Sequence, residues 1–384
     1  MKKGIKKEKI NLYIDLIPFA PKRAGAEIYS LNFIKHLSKI KNSNFEPVLL
    51  VNRDIQNFYN PEKKLRQIIC PVNPHKKTSR VFFEQFVMPF RLKRDKSLFF
   101  SPSNILPITL RIPSVVTIFD LHWYSLKNLF PKKEIHKLRY IKTFIKLSAK
   151  KAKKIVTLSQ HTRNNLISIL KIPEEKIVVI PPGLEKCYKI INKNKARDFV
   201  RKKFNVKSNF ILQVGETHRR KNIPFLLDIF EKINGQNTMD LVLVGPPGDA
   251  EKEILKQIQI SRFQKNIHKL NELSEKDLLY LYNAASCLIF PSLYEGFGLP
   301  IVEAMACGCP VICSDLTAIP ESAGGAALLC DLEDKKEWIY AITKIIHNKE
   351  QRNILIEKGL KRAQQLSWER TAEEMLKTFE GVQL

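Results

Sequence analysis

The stretch "NFILQVGETHRRKNIPFLLDIFEKINGQNTMDLVLVGPPG", Asn209–Gly248, carries the pattern that decides the fold. A short apolar run, FILQV, ends at a glycine, and a second one, LVLV, ends at another glycine. Between them, apolar residues recur at helical spacing in IPFLLDIFEKI. A buried strand, a helix and a second buried strand in this order are typical of parallel α/β layers. We therefore predict an α/β fold with a doubly wound sheet.

The same alternation of strand and helix patterns extends over the whole chain. The strands predicted in the first half are INLYIDLI, FEPVLLV, SLFFS, SVVTIF, KIVTLS and KIVVIPPG. Those predicted in the second half are NFILQVGE, DLVLVGPPG, IHKL, CLIFPS, PVICSD and AALLC. A chain of 384 residues with this content is long enough for two domains of ordinary size.

The pattern also predicts where the domains begin and end. We expect an N-terminal Rossmann-like domain over residues 1–190, a polar linker over 191–208, and a C-terminal Rossmann-like domain over 209–365. The final segment, 366–384, is predicted as one amphipathic helix that crosses back to the N-terminal domain. Two doubly wound domains are expected to face a cleft, with ligands bound at the carboxyl ends of the strands.

The positive charge of the chain is concentrated in its first half. Residues 1–190 hold 38 Lys and Arg against 13 Asp and Glu, whereas residues 191–384 hold 27 against 25. The densest run, Lys132–Lys154, has ten basic residues and one acid, with apolar residues at roughly helical spacing. A basic amphipathic helix of this kind is typical of contact with an anionic membrane. A solvated helix in a lysine-rich protein is the alternative; nucleic acid is not expected, because no motif that reads DNA or RNA accompanies the charge.

Cysteine spacing and hydropathy give expectations about the compartment. The seven cysteines are irregularly spaced and lack partners at zinc-binding spacing, so we expect buried free thiols and no metal site. No apolar run reaches the roughly 18 residues that a membrane-spanning helix needs. Asp15 interrupts the first apolar segment, which argues against a signal peptide. The expected location is the cytoplasm, with possible peripheral contact at the inner membrane face.

Polar residues that follow two of the predicted strands are the candidates for ligand binding. VGETHRRKN places Gly215, Arg220 and Lys221 after a strand, and these cations suit a diphosphate. LYEGFGLPIVEAMACG contains a short helix whose N-terminus favours an anion. Glu295 precedes this helix and Glu303 lies about one turn into it, where each can reach hydroxyls on either side of that anion. The pattern predicts a sugar nucleotide; surface loops with solvated charges are the alternative.

The chain contains no Asp-x-Asp pair. Metal-dependent sugar transfer usually holds a divalent ion on the diphosphate with such a pair. We therefore expect the positive charge to come from Arg220, Lys221 and the helix dipole, with neither a metal nor a cofactor.

The chain resembles the retaining GT-B glycosyltransferases of the large family (group 1) that contains bacterial mannosyl- and glucosyltransferases of lipopolysaccharide, capsule and glycolipid synthesis. The resemblance rests on EGFGLPIVE with AMACGCPVICSD, VGETHRRKNI, VTLSQHTRNNL, IPPGL, IPESAGGAALLCDLED and SWERTAEEML, all in family order. It implies transfer of a hexose, with retention, from a nucleotide-diphosphate sugar to a saccharide or lipid-linked saccharide. The "RKN" ending favours GDP-mannose as the donor.

The resemblance also implies roles for individual residues. Glu295 would contact hydroxyls of the donor sugar, while Lys221 and Arg220 would neutralise the leaving diphosphate. The remaining positions would bind the nucleotide sugar through backbone N–H groups, the ribose, the nucleobase or the diphosphate; they are Phe297, Gly298, Leu299, Glu303, Asn271, Gly25 and Gly215.

Two positions depart from the family's pattern. Glu216 stands where many members have arginine directly after the strand glycine, so we assign that role to Arg220. Phe119 stands where many members have histidine before Asp120, so either His122 replaces that histidine or its contact with the sugar is lost. Two other functions stay open: another GT-B enzyme, such as a sugar-nucleotide epimerase, and a non-enzymatic binder of anionic polymers.

Overall fold

A computed structural model describes residues 9–21, 25–40, 43–60, 64–73, 76–126, 129, 135–235, 239–271 and 273–383. The chain forms two compact units. Unit 1 comprises Met1–Gly183 and Trp368–Leu384, and unit 2 comprises Leu184–Ser367.

Unit 1 is built on a seven-stranded parallel sheet. Its strands are β1 (Ile10–Asp15), β2 (Phe45–Val51), β3 (Arg66–Ile69), β4 (Ser97–Ser101), β5 (Ser114–Thr117), β6 (Lys154–Thr157) and β7 (Ile177–Val179). Their order in the sheet is β3-β2-β1-β4-β5-β6-β7. The sequence pattern missed β3, because this edge strand has four residues, none of them buried, and so lacks a strong apolar signal.

Helices cover both faces of the unit 1 sheet. They are α1 (Gly25–Leu37), α2 (Lys77–Phe82), α3 (Met88–Arg91), α4 (His122–Ser125), α5 (Ile135–Lys151), α6 (Gln160–Leu170) and, from the end of the chain, α15 (Trp368–Glu380). Successive strand residues point to opposite faces, so Leu12 and Ile14 join one apolar cluster and Tyr13 joins another. The predicted basic helix over Lys132–Lys154 corresponds to α5, and its first three residues, 132–134, lie outside the described residues.

Unit 2 is built on a six-stranded parallel sheet. Its strands are β8 (Phe210–Val214), β9 (Asp240–Val244), β10 (Ile267–Leu270), β11 (Cys287–Phe290), β12 (Val311–Ser314) and β13 (Leu328–Cys330), in the order β10-β9-β8-β11-β12-β13. Its helices are α7 (Lys193–Phe204), α8 (Ile223–Asn234), α9 (Glu251–Ile260), α10 (Glu275–Ala284), α11 (Leu299–Ala306), α12 (Ile319–Ala323), α13 (Lys335–His347) and α14 (Lys349–Gln364). This is the doubly wound arrangement expected from the sequence.

The boundaries of the units differ from those predicted. Residues 191–208, predicted as a linker, belong to unit 2, and most of them form α7. This helix is largely polar, but Ala196 and Val200 are buried in the apolar core of unit 2. Two buried residues among many charged ones give a weak signal, which explains why the segment resembles a linker in the sequence.

The described residues include no helix that is both long enough and apolar enough to cross a bilayer. All seven cysteines are free thiols; six are buried and Cys187 is partly exposed. Cys287, Cys313 and Cys330 lie in strands of unit 2, where a buried free thiol behaves as a small apolar side chain.

Candidate functional site

In the sheet of unit 2, the strands from β8 to β10 are added on one side and the strands from β11 to β13 on the other. The boundary between β8 and β11 is therefore the switch point of this doubly wound sheet. The loop after β8 carries Arg220 and Lys221, and the loop after β11 carries Glu295. A backbone hydrogen bond of 2.7 Å from Leu293 N–H to the carbonyl of Arg220 joins the two loops. Residues 74 positions apart in sequence are thereby brought into one cluster.

Glu295 forms ion pairs with both cations. Its Oε1 lies 2.7 Å from Lys221 Nζ and 2.8 Å from Arg220 Nη1. The Lys221 ammonium also lies over the ring of Phe290, 4.7 Å from its centroid. Two cations thus face the Glu295 carboxylate at the carboxyl edge of the sheet, and the charge of a second carboxylate, Glu216, also acts on Lys221.

Burial shapes the electrostatics of this cluster. Lys221 and Glu295 are 6% and 7% exposed. Burial would raise the pKa of Glu295, but the charges of Arg220 and Lys221 and the hydrogen bond from Lys221 lower it overall. Burial, together with the charge of Arg220, lowers the pKa of Lys221, although Glu295 raises it. The pair is therefore stable as ions only because each partner is present.

Gly215 lets Lys221 pass close to the end of β8. Its φ of +148° lies in the region that favours glycine, and a Cβ there would sit 2.9 Å from Lys221 Cε. At the end of β9, Gly245 has a φ of +145°, and a Cβ would sit 2.1 Å from the Gly215 carbonyl oxygen. The two strand-end glycines are therefore required by the packing of the loops themselves.

The two neighbouring arginines point in different directions. Arg219 Nη1 donates to Glu253 Oε2 of α9 at 2.8 Å, and its backbone N–H donates to Asp249 at 2.8 Å. Arg220 instead contacts Glu295 and donates to the Tyr294 carbonyl at 3.2 Å. The geometry therefore supports Arg220, rather than Arg219, as the arginine of the site.

The loop between β11 and α11 is held by hydroxyl groups. The Glu295 N–H donates to Thr317 Oγ1 at 3.1 Å, and Ser322 Oγ donates to the Phe297 carbonyl. Gly298 has a φ of +109° and directly precedes Leu299, the first residue of α11. The predicted segment Phe297–Leu299 is thus a fixed turn that leads into a helix N-terminus.

Glu303 lies in α11 and has a different environment from Glu295. Its Oε2 accepts a hydrogen bond of 2.8 Å from the Tyr282 hydroxyl of α10. Burial raises the pKa of Glu303 to about 7, although the Tyr282 hydrogen bond lowers it; the charges of Glu185 and Glu275 raise it further. The carboxyl group is thus easier to protonate than an exposed glutamate, and the Tyr282 hydroxyl fixes its position.

Asn271 follows β10 at the same edge of the sheet. Lys269 Nζ donates to Asn271 Oδ1 at 3.0 Å and to the Gly245 carbonyl at 2.6 Å. The lysine therefore ties the end of β10 to the end of β9, and Asn271 is placed beside that junction.

The other two predicted site residues, Gly25 and His122, belong to unit 1. Gly25 begins α1 after β1, and a Cβ there would meet no atom within 4 Å. His122 Nδ1 forms a short hydrogen bond with the Asp120 carboxylate, which fixes the ring. Phe119, at the position of the family histidine, packs edge-on against Tyr29 at 5.3 Å between ring centroids.

Three residues that contact the site were not predicted from the sequence: Tyr282, Phe290 and Thr317. Tyr282 and Phe290 lie in apolar stretches of a helix and a strand, where an aromatic residue normally indicates core packing. Thr317 has a φ of +60°, a conformation that cannot be predicted from the neighbouring residues in the sequence. Only the three-dimensional arrangement distinguishes these residues from ordinary core and loop residues.

Family models match both units. The model described as glycosyl transferases group 1 matches residues 194–362, and the glycosyltransferase family 4 model matches residues 23–186. The chain belongs to the glycosyltransferases that these two models describe.

Similar proteins include two bacterial glycosyltransferases. The O-antigen chain mannosyltransferase B of Escherichia coli is 29% identical over 293 residues, which are 73% of this chain and 74% of the relative. The O-antigen chain mannosyltransferase RfbU of Salmonella typhimurium is 30% identical over 230 residues, which are 60% of each chain.

Solved structures share the fold of this glycosyltransferase. The sucrose-phosphate synthase of Thermosynechococcus elongatus has a TM-score of 0.77 at 20% identity, covering 97% of this chain and 98% of that one. The Anabaena HepE protein, solved with UDP and glucose, has a TM-score of 0.75 at 16% identity, covering 97% and 100%. The lipopolysaccharide glycosyltransferase WaaG has a TM-score of 0.71 at 17% identity, again covering 97% and 100%. The predicted fold class, GT-B with two Rossmann-like domains, is therefore confirmed.

Proposed function

We propose that this glycosyltransferase moves a hexose, with retention of configuration, from a nucleotide-diphosphate sugar to an acceptor hydroxyl. The observation that supports this most strongly is the buried cluster of Lys221, Arg220 and Glu295 at the switch point of unit 2. Such a cluster offers preorganised positive charge at the strand ends where α/β folds bind nucleotides.

Charge builds on the diphosphate as the bond to the sugar breaks. Lys221, which is buried, and Arg220, which is partly buried, stabilise that charge, because Glu295 already holds both in position before the reaction. Glu295 fixes the two cations through its Oε1 and offers its second oxygen to the sugar hydroxyls. Glu303, oriented by Tyr282, accepts hydrogen bonds from the ribose, and the N–H groups at the start of α11 face the diphosphate.

Mannose is the leading donor sugar, and cell-surface polysaccharide is the leading product. The support is that both relatives are O-antigen chain mannosyltransferases. The proposed donor is GDP-mannose, and the proposed reaction needs no metal because Lys221 and Arg220 supply the charge. His122, held by Asp120, is the proposed unit 1 contact with the sugar.

The proposed acceptor is a saccharide linked to a lipid, reached by peripheral contact with the inner face of the membrane. Support comes from α5, a 17-residue helix with lysine, arginine and histidine along its exposed side and no acid within it. Each basic residue near an anionic surface contributes about 1 kcal/mol of attraction.

The test is a screen of GDP, UDP and ADP sugars by thermal shift, followed by turnover of the stabilising donor with oligosaccharide acceptors. The expected product is an α-linked mannoside, assigned from its anomeric proton by NMR, formed equally well with excess EDTA. A β-linked product would refute retention, and loss of turnover with EDTA would refute the metal-free mechanism. Conversion of the donor into an epimer without an acceptor would favour the epimerase instead.

A further inference from the structure

Three phenylalanines of unit 1 are exposed on one continuous helical segment, Lys77–Arg91. Phe82, Phe86 and Phe90 are 60%, 56% and 55% exposed. They recur every four residues, so they lie along one face, and the rings of Phe82 and Phe86 are 5.6 Å apart. Large aromatic side chains in such a row are costly in water and mark a contact surface.

Hydrogen bonds to the loop after β4 hold this helical segment in place. The segment contains one turn of π-helix, Phe83–Val87, followed by Pro89, which cannot donate to the Gln85 carbonyl. The Thr109 hydroxyl donates to that carbonyl instead, and Gln85 Oε1 accepts from the Ile108 N–H at 2.8 Å. The loop after β4 is therefore fixed against the helical segment, and Ile108, 40% exposed, extends the apolar face.

Basic residues lie at the end of the segment that carries Phe90. Arg91 ends the segment, Lys93, Arg94 and Lys96 follow it, and all four are exposed, with Asp95 as the one exposed acid among them. The guanidinium of Arg111 lies 5.8 Å from the centroid of the Phe90 ring. An apolar row bordered by cations complements the surface of an anionic bilayer, in which charged headgroups lie above an apolar layer of acyl chains.

The basic helix α5 lies next to this segment. The loop after β4 joins the two elements, because its Leu106 N–H donates to Ser148 Oγ of α5 at 2.8 Å and its Ile108 N–H donates to Gln85 Oε1 of the segment at 2.8 Å. Ile145 of α5 and Phe83 of the segment also belong to the same apolar cluster. The charge of α5 therefore adds to that of the residues after α3.

We propose that Phe82, Phe86 and Phe90 insert into the interfacial layer of an anionic lipid bilayer, with the surrounding arginines and lysines on the phospholipid headgroups. We name these three residues the phenylalanine row. The proposal rests on the proposed function only for the lipid-linked nature of the acceptor, and it adds an inserted apolar element to the electrostatic contact of α5.

The first test measures sedimentation of the whole chain with vesicles of phosphatidylcholine, with and without phosphatidylglycerol. The variant Phe82→Ser/Phe86→Ser/Phe90→Ser is expected to bind the anionic vesicles at least about tenfold more weakly, because most of the inserted apolar area is lost. The matched control, Ile260→Ser/Tyr340→Ser, removes apolar residues that are 77% and 65% exposed in unit 2 and is expected to bind normally. Equal binding by the triple variant and the wild type would overturn the proposal.

The second test detects insertion directly. Phe86→Trp is expected to show a blue-shifted tryptophan emission and quenching by bromine-labelled lipid when anionic vesicles are added. Ile260→Trp, also on an exposed site, is expected to show neither change. An unchanged emission for Phe86→Trp in the presence of bound vesicles would mean that charge alone holds the protein, and would refute insertion.

A second copy of the chain is the other occupant that the tests can reveal. Light scattering without lipid is expected to give the same mass for the wild type and the triple variant; a dimer that the triple variant abolishes would overturn the membrane assignment. Transfer to a short water-soluble acceptor is expected to be unchanged in the triple variant. Failure of the proposed sugar transfer would thus appear in the wild type as well, separately from any effect on vesicle binding.

Discussion

Two glutamates of one short stretch are held with their pKa values moved in opposite directions. Glu295 faces two cations, and its pKa is lowered despite burial. Glu303 faces the Tyr282 hydroxyl and two further acids, and burial raises its pKa to about 7. The neighbours of each carboxylate decide its state, so only Glu295 is firmly ionised at neutral pH. This difference suits a permanent ion pair at one position and an adaptable hydrogen-bond acceptor at the other.

The raised pKa of Glu303 makes a prediction about stability. Because its pKa rises from 4.5 to about 7 on folding, its contribution is fully favourable below about pH 4.5 and is lost as pH rises through 7. Glu303→Gln is therefore expected to increase the free energy of unfolding by about 3 kcal/mol at pH 8, and by little at pH 4.5.

Urea denaturation at the two pH values measures this difference, with the exposed Glu333→Gln as control. The same Glu303→Gln protein is expected to bind nucleotide more weakly, since an amide is a poorer acceptor for ribose hydroxyls. A stability gain of equal size at both pH values would contradict the assigned pKa.

Lys221 and Arg219 allow a matched test of the catalytic charge. Lys221→Ala is expected to lower kcat by about two orders of magnitude or more, because it removes the buried cation that we propose stabilises the leaving diphosphate. Arg219→Ala, two residues away, breaks the ion pair with Glu253 at the surface and leaves the backbone hydrogen bond to Asp249 in place, so kcat is expected to stay within about twofold. Steady-state kinetics on both proteins decide the point, and an unchanged kcat for Lys221→Ala would remove its catalytic role.

How much of the site the sequence predicts follows from the type of signal. Glu295, Arg220 and Lys221 stand out because charged residues directly after apolar strands have few structural reasons to be there. Tyr282 and Phe290 do not stand out, because an aromatic residue in an apolar segment has a structural reason in nearly every protein. The sequence therefore reveals the charged members of the site and hides the residues that orient them.

At the scale of elements, the strand ends make the site possible. The loops after β8 and β9 approach each other so closely that any side chain at Gly215 or Gly245 would collide with a neighbour. The strands of unit 2 were all predicted: four of them, β8, β9, β11 and β12, are fully buried runs, and the partly buried β10 and β13 are short runs in the same alternation of strands and helices. In unit 1, β3 and the π-helical segment were missed, because an exposed edge strand and a row of exposed phenylalanines both break the expected apolar pattern.

Gly215→Ala tests the role of the β8 end. The new methyl group would displace Lys221 Cε, now 2.9 Å from that position, so kcat is expected to fall by about tenfold or more. Gly325→Ala is the control, because its φ of +75° also favours glycine but its Cβ would meet no atom within 4 Å. Both variants are expected to lose about 1–3 kcal/mol of stability from backbone strain. An equal loss of kcat in both would mean that strain alone, and not the position of Lys221, causes it.

At the scale of the whole molecule, helix α15 completes the core of unit 1. Its Phe379 is 1% exposed and lies between the rings of Phe33, Phe45 and Phe100, at centroid distances of 6.2, 5.9 and 5.3 Å. The sequence predicted one amphipathic helix over 366–384 that crosses back to the N-terminal domain, and α15 belongs to unit 1. The exact borders of the units escaped prediction, because the helix α7 buries so few apolar residues.

Phe379→Ala is expected to cost about 3–5 kcal/mol, the range for emptying a large buried aromatic position. Hydrogen exchange with mass spectrometry is expected to show faster exchange in β1, β4 and α1 and unchanged exchange in β8 to β13. Lys377→Ala, at an exposed position of the same helix, is the control and is expected to change neither. Faster exchange spread evenly over both units would contradict the assignment of α15 to unit 1.

The position of α15 in the chain has a consequence for biosynthesis. The ribosome completes all of unit 2 after Gly183 and before Trp368, the residue with which unit 1 resumes. At about 5–20 residues per second this interval lasts roughly 10–40 s. During that time the nascent unit 1 exposes the apolar surface that α15 will cover, so its window for chaperone binding or misfolding closes only when the last helix leaves the ribosome.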